Sequence, residues 1–310
     1  MAELRRDALL IVNPRAGRVS RLLNGRLERI CAGFAGQGIA AEVAFTDTPE
    51  AAEDAARRAA ADRRDLVIAC GGDGTVNAIV NGLVFSQTPL ALLPAGTANV
   101  LAKELNLPGD AERAASYIAS SVPRRIALGR VASCEAPTLN RYFLAVGGAG
   151  PDGAIIQGVH RGLKKHTGQL AYWLEGLRQF AAYRYPRFRV IADGVTREAT
   201  MIIVGRTRHY GGPLRITTEA DLYENDFEVM TSATRSSLAC LSFVPLALVG
   251  QVRRSRAARF FRTTSLRCEP IDHPVAFVQI DGEPAGRLPV EFQAVPDALT
   301  LMIPRSMRRF

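Results

Sequence analysis

The sequence predicts an α/β domain built on a doubly wound parallel sheet, followed by a largely antiparallel β domain. Three observations predict it. The chain has 310 residues, about twice the ~150 residues that serve as a prior for one domain. Its first part alternates continuous apolar runs with segments of helical apolar spacing, the pattern of strands buried on both faces and of the helices that cover them. From about residue 124 that alternation gives way to short β-like runs separated by turns.

The elements follow in order. Residues 8–13 (ALLIVN) form an apolar run stopped by Pro14, and residues 21–34 repeat apolar positions at helical spacing through Leu22, Leu23, Leu27, Ile30 and Phe34. Residues 40–45 read as a second strand. Thr48 and Pro49 then open an Ala-rich helix to Asp62, with Thr48 as N-cap and Pro49 at the first helical position. Residues 65–70 (DLVIAC) are a third strand, and 76–84 the helix behind it. Residues 89–93 are a fourth strand, with helices expected at 98–105 and 111–120. Beyond them come β-like runs at 125–131, 142–146, 188–192, 199–205, 227–231, 265–269, 276–280 and 298–303. Helical stretches are expected at 168–183 and 236–261. The boundary falls near Pro123, giving domains 1–124 and 125–310, with the last residues able to return to the first domain.

Composition narrows the class. Hydrophobic residues at 47% and charged residues at 22% exclude a disordered chain. The net charge of +9 favours an acidic partner: nucleic acid, anionic lipid or a phosphate ligand. Only Lys103, Lys164 and Lys165 are lysines; the other cations are arginines. Cys31, Cys70, Cys134, Cys240 and Cys268 are far apart with no CxxC, and the four His show no metal spacing, which argues against zinc and against a disulfide framework. The N-terminus lacks a secretory apolar region. No stretch reaches the ~18 apolar residues of a membrane span; the longest, 238–249, contains Ser242 and Pro245. The expectation is a soluble, cytoplasmic protein.

Three strand ends carry the chemistry. The third strand delivers Gly71-Gly72-Asp73-Gly74-Thr75-Val76-Asn77 at a strand-to-helix junction. The fourth ends in Pro94-Ala95-Gly96-Thr97-Ala98-Asn99, and the first in Asn13-Pro14-Arg15-Ala16-Gly17-Arg18. Glycines let the backbone approach an anion, and a helix N-terminus aims N–H groups at it. Three such turns on one rim of a parallel sheet point to a nucleotide site. Asp73 suits a metal or a cap on the helix that follows. The Walker-type P-loop is absent. A GxGxxG string at 148–153 has Pro151 in the turn and no βαβ unit after it, so it does not read as a dinucleotide site.

GGDGTVNAIVNGL, LPAGTANVLAKEL and VNPRAG together resemble the diacylglycerol kinase catalytic family, which includes sphingosine and ceramide kinases. FLAVGGAGPDGAII, GQLAYWLEGL and IDGEPAG resemble that family's second domain in the expected order. The resemblance runs from about Ala8 to Pro304. GGDGT alone is shared with NAD kinases, whereas its combination with GTAN and DGE at these separations is specific. It implies a lipid kinase with an α/β domain akin to NAD kinase and phosphofructokinase, a β-sandwich domain, and an active site in the interdomain cleft. It implies ATP with Mg²⁺, bound by Asn13 to Gly17 (with Pro14, Arg15 and Ala16), Thr46, Gly71 to Asn77, Gly96, Thr97 and Asn99. It implies phosphorylation of a lipid hydroxyl, with diacylglycerol giving phosphatidic acid as the default. Sphingoid-base or ceramide kinase and an NAD kinase-type enzyme are the alternatives, and a non-catalytic nucleotide-binding or membrane-sensing protein is a third.

The acidic pair Asp281 and Glu283 matches the family's proton-accepting DGE, while Asp281-Gly282 also reads as a hairpin turn. Asp221, Glu224, Asp226 and Glu228 form an oxygen-rich loop that suits Mg²⁺ or Ca²⁺. The resemblance implies a structural magnesium there, in a loop usually carrying Asp-Gly where this chain has Glu224-Asn225. Ala78 and Val100 stand where the family often has Glu and Asp. Asp152 matches a second-domain Asp that faces the cleft or caps a turn. Arg253, Arg254, Arg256, Arg259 and Arg262, beside Phe260 and Phe261 and after the apolar 238–249, suit an anionic bilayer. The tail with Arg305, Arg308, Arg309 and Phe310 repeats the theme. No nucleic-acid motif occurs. The expected setting is therefore cytoplasmic and peripheral to a membrane, with a homodimer left open.

Overall fold

The computed structural model describes residues 6–17, 25–135, 139–154, 156, 183–273 and 275–305. It divides into two compact units, Met1–Leu128 with Pro296–Phe310, and Gly129–Val295.

The first unit alternates strand and helix: β1 (Arg6–Val12), α1 (Arg26–Gly36), β2 (Ile39–Phe45), α2 (Pro49–Ala61), β3 (Leu66–Gly71), α3 (Asp73–Leu83), β4 (Leu90–Pro94), α4 (Val100–Glu104) and α5 (Ala111–Ile118). The strands lie parallel in the order β2-β1-β3-β4, and the end of the chain's last strand joins beside β4 through Leu301↔Leu90. β3 and β4 are buried at every residue, as continuous apolar runs require when both faces are covered. Leu27, Ile30 and Phe34 bury one face of α1, at spacings of three and four residues. Thr48 Oγ1 accepts from the Ala51 N–H at 3.2 Å, capping α2 as expected. Asp110 caps α5, and Arg26 on α1 reaches Asp110 at 2.7 Å and Glu112 at 2.8 Å.

The second unit contains β5 (Val122–Ser133), which enters from the first, then β6 (Asn140–Phe143), β7 (Val146–Ala149), β8 (Phe188–Ala192), β9 (Val195–Ala199), β10 (Met201–Gly205), β11 (His209–Tyr210), β12 (Leu214–Arg215) and β13 (Phe227–Ser232). They are followed by α6 (Ser237–Leu241), α7 (Phe243–Leu248), a 3₁₀ turn at Val252–Arg254, β14 (Arg259–Thr263), β15 (Ser265–Pro270), β16 (Phe277–Ile280), β17 (Glu283–Arg287) and β18 (Val290–Ile303). One antiparallel sheet runs β14-β13-β10-β7-β16-β17. In the other, β18 pairs with β15, which pairs with β8 and then β9, while β5 pairs with β18 and β6. Phe143, Phe188, Phe227 and Phe292 sit in one core, with Phe143 stacked on Phe227 at 5.9 Å and edge-on to Phe292 at 6.1 Å. β18 shows the change of environment within one strand. Its first residues alternate buried and exposed, and its last six, in the first unit, are all buried.

Several expectations change. The helix expected at 236–261 is two short helices, a 3₁₀ turn and a strand. Gly250 at φ 68° closes the turn after α7, and residues 259–263 pair with β13 through Val229↔Phe261. The strand expected at 142–146 is two strands, β6 and β7, broken at Leu144 and Ala145. β9, β11, β12, β14 and β17 were not predicted. The helix expected to begin at 76 begins at Asp73, inside the glycine motif, and those expected at 98–105 and 111–120 are shorter. The helix expected at 168–183 lies outside the described residues except for Tyr183, which is not helical. Residues 18–24 of the first turn and helix, and Arg308 to Phe310, also lie outside them. Among the described residues no helix is long and apolar enough to cross a membrane.

Candidate active site

In the first unit the strand order puts the carboxyl ends of β1, β3 and β4 side by side, where ligands of open α/β sheets bind. The three turns are tied to one another. The Asn13 N–H donates to the Cys70 carbonyl at 3.1 Å, and the Ala95 N–H to the Gly71 carbonyl at 3.1 Å. Asn13 Nδ2 donates to Thr75 Oγ1 at 3.0 Å, and Asn13 Oδ1 accepts from the Arg15 N–H at 2.9 Å. Gly72 and Gly96 meet backbone to backbone: a Cβ on Gly96 would run into Gly72 Cα. That contact requires glycine there. Asn99 takes the left-handed conformation at φ 49° and closes a pincer on Gly96, accepting its N–H and donating to its carbonyl, each at 2.9 Å.

Asp73 is the clamp between the two turns. Its carboxylate accepts from the N–H groups of Asn99 at 2.9 Å and Val100 at 2.7 Å. It therefore caps α4 across the rim. Val100 contributes through its backbone N–H, and the side chains of Val100 and Ala78 are both buried. Thr97 is exposed and lies within 3.5 Å of where a Cβ on Gly17 would stand. Thr46 is buried, and its Oγ1 has no hydrogen-bond partner among the described residues. Arg15 pairs with Asp47 at 3.2 Å at the surface. Asn77 is 1% exposed, and its Oδ1 accepts from Asn81 Nδ2 at 3.3 Å.

In the second unit Asp281 and Gly282 have φ 47° and 83°, the paired positive values of a tight hairpin turn, and Ile280 faces Glu283 across it. The Asp281 carboxylate is occupied. It accepts from the N–H groups of Leu144 at 2.8 Å, Ala145 at 2.9 Å and Val146 at 2.9 Å, the residues at the break between β6 and β7. Backbone donors interrupted in a sheet need acceptors, and a charged acceptor is the strongest available. Asp281 thus binds the break between β6 and β7 to the hairpin that carries Glu283. Gln279 supports the turn from inside: its Oε1 accepts from the Gly282 N–H at 2.9 Å, and its Nε2 donates to Asp152 Oδ2 at 2.7 Å. Tyr210 donates its hydroxyl to the other Asp152 oxygen. Asp152 is buried, and burial pushes its pKa up to about 7, opposed in part by the Gln279 hydrogen bond. Sequence reasoning missed Gln279 and Tyr210. Gln279 had a signal, as the one polar residue in the otherwise apolar run 277–280.

Residues 7–131 match the diacylglycerol kinase catalytic domain, and residues 145–303 match the YegS C-terminal NAD kinase beta sandwich-like domain. The chain belongs to the diacylglycerol kinase catalytic-domain family. Its β-rich unit is that family's β-sandwich. Among relatives, a diacylglycerol kinase of Bacillus subtilis (strain 168) is 27% identical over 303 residues, spanning 96% of each chain. A diacylglycerol kinase of Mycobacterium tuberculosis (strain H37Rv) is 30% identical over 257 residues, spanning 80% of this chain and 79% of that one. A crystal structure of a diacylglycerol kinase from Bacillus anthracis (strain Sterne) superposes with a TM-score of 0.71 over 98% of each chain at 19% identity, a likeness of fold.

Two further readings of this diacylglycerol kinase family member change. Among the described residues no three Asp, Glu, His or Cys side chains gather as a metal set. Asp226 is held by Arg262 at 2.8 and 2.6 Å, and Asp221 Oδ1 accepts from the Tyr223 N–H at 3.0 Å; the side chains of Asp221, Glu224 and Asp226 do not converge. The basic cluster is partly consumed inside the fold. Arg253 pairs with Glu219 at 2.7 Å and with buried Glu228 at 2.5 Å, and lies over the Phe260 ring at 4.5 Å. Arg259 turns its Nη1 back onto the carbonyls of Arg256 and Ala258. Arg254 and Arg256 stay exposed, and Leu238, Val244, Leu248 and Val249, on and just after α6 and α7, are exposed apolar groups beside them in sequence.

Proposed function

We propose that this chain is an ATP-dependent lipid kinase that transfers the γ-phosphoryl group to the free hydroxyl of diacylglycerol, giving phosphatidic acid and ADP. The observation that carries the reading is that both family domains match in order across the chain, with the glycine rim intact in one and the Asp-Gly-Glu hairpin intact in the other. The rim fits a nucleotide. Two turns in backbone contact leave no side chain between them, α3 starts at the rim, and the buried Thr46 hydroxyl waits for an acceptor or donor. When bound, ATP with Mg²⁺ supplies the phosphoryl group and the neutralisation of its charge.

The chain's own residues do the rest. Backbone N–H groups of 72–75 and of Thr97 hold phosphates, and Asn13, Arg15, Thr46 and Thr97 line the same rim. Asp73 keeps the β3 and β4 turns in register, a positioning role. Glu283 takes the proton of the lipid hydroxyl as its oxygen attacks phosphorus, a contribution of about 10²–10⁴-fold. Asp281 and Gln279 fix the turn that presents Glu283.

The lipid is reached from an anionic bilayer at the cytoplasmic face. Leu238, Val244, Leu248 and Val249 form the apolar contact, and Arg254 and Arg256 the electrostatic one, at about 1 kcal/mol per cation near the surface. Incubation with labelled ATP, Mg²⁺ and a panel of diacylglycerol, sphingosine, ceramide and NAD tests the reading. Label in phosphatidic acid is expected. Label in sphingosine or ceramide instead would move the substrate assignment, and label in NAD alone would overturn the lipid kinase.

A further inference from the structure

Arg206, the residue after β10, is fully buried and is the largest fully buried side chain among the described residues. Its guanidinium donates to three carbonyl oxygens of a single loop: Leu222 at 2.8 Å from Nη2, and Glu224 at 2.5 Å and Asp226 at 2.8 Å from Nη1. Converging oxygens from one short loop are what a hard divalent cation takes. Here they receive N–H groups. Burial lowers the Arg206 pKa to about 10, and the fields of Asp226, Asp221 and Glu224 oppose the drop, so the group is a cation at neutral pH. A buried ammonium loses its proton far more readily, and it lacks the planar fork that reaches three acceptors at once.

The surrounding carboxylates are directed elsewhere. Asp226 spans Arg262 with both oxygens. Glu228, 1% exposed, accepts from Arg253 and from the Glu219 N–H at 2.6 Å. Asp221 caps the Tyr223 N–H. The segment 219–228 is thus gripped by Arg206, Arg253 and Arg262, and a divalent ion placed among the same carbonyls would face the Arg206 charge directly.

We propose that Arg206 is the resident cation of the 221–226 loop and stands where the family resemblance implies a structural magnesium, so that this loop needs no divalent ion. The claim concerns folding of the second unit and is independent of which lipid is phosphorylated.

Thermal melting of the nucleotide-free protein tests it, in EDTA, in millimolar MgCl₂ and in millimolar CaCl₂. The melting temperature is expected to be the same in all three. A melt lowered by EDTA and restored by Mg²⁺, with the response removed by Asp226→Asn, would overturn the proposal. Arg206→Ala empties the carbonyl cluster: it is expected to melt lower, to regain stability with low-millimolar methylguanidinium, and to acquire a Ca²⁺ or Mg²⁺ response that the parent lacks. Arg206→Lys is expected not to restore the parent melt. An Arg206→Ala protein that melts as the parent does would also overturn the proposal. Should Arg206→Ala fail to fold, calorimetric titration of the parent with Ca²⁺ decides: no saturable site removed by Asp221→Asn supports the proposal, and such a site contradicts it.

Discussion

Asp281→Asn separates a structural carboxylate from a catalytic one. In the folded protein one Asp281 oxygen accepts from Ala145 and Val146 and the other from Leu144. An Asn can keep the first pair on its carbonyl oxygen, but its NH₂ then meets the Leu144 N–H, donor against donor. Leaving that donor unsatisfied costs about 1–3 kcal/mol. The two remaining bonds lose their charge assistance, roughly another 0.5–1.5 kcal/mol between them, since charged hydrogen bonds are about twice as strong as neutral ones. The sum, about 2–4 kcal/mol, is a large share of the ~5–15 kcal/mol that holds an ordinary domain together. It lowers the melting temperature by on the order of 10 °C. The assay is a thermal melt followed by far-ultraviolet circular dichroism, with phosphoryl transfer measured well below the melt. An Asp281→Asn protein that melts with the parent yet has lost transfer would place Asp281 in the chemistry instead.

Glu283→Gln is expected to act on the chemistry, lowering kcat by about 10²–10⁴-fold in protein assayed well below its melt; parent-like kcat removes the base assignment. Asp152 binds its proton more tightly folded, near 7, than at its ordinary value of 3.8, so stability falls as pH rises through that window and levels off above it. Asp152→Asn should flatten that fall, and parallel pH–stability curves for the two proteins would contradict it. Leu238→Ser with Leu248→Ser should weaken sedimentation with anionic vesicles by about tenfold per residue, from ~1.5 kcal/mol of apolar contact each; unchanged sedimentation defeats the docking face.

The first unit was largely legible because its information is local. Buried parallel strands are continuous apolar runs, Thr48-Pro49 is a cap followed by a helix start, and the glycine turns sit where backbones must touch. The second unit was less so because its determinants are distant in sequence. Asp281 reads in the sequence as an acid of the DGE motif, and nothing local announces the amides of Leu144, Ala145 and Val146 on it, 137, 136 and 135 residues away. Asp152 meets Gln279 across 127 residues. The stretch 251–262 reads as a basic amphipathic segment, yet Phe261 belongs to a strand opposite Val229, and Arg253 and Arg262 answer Glu228 and Asp226. The excess of Arg over Lys acquires part of a reason here: three arginines use their forked donors to close the 219–228 segment.

The central claim, phosphoryl transfer to a lipid hydroxyl with Glu283 as proton acceptor, is tested most directly by single-turnover transfer from γ-labelled ATP to diacylglycerol in anionic vesicles, for the parent and for Glu283→Gln. Labelled phosphatidic acid is expected from the parent, with a transfer rate lower by about two orders of magnitude or more in the variant. No label in phosphatidic acid from the folded parent, or equal rates in the two proteins, would contradict it.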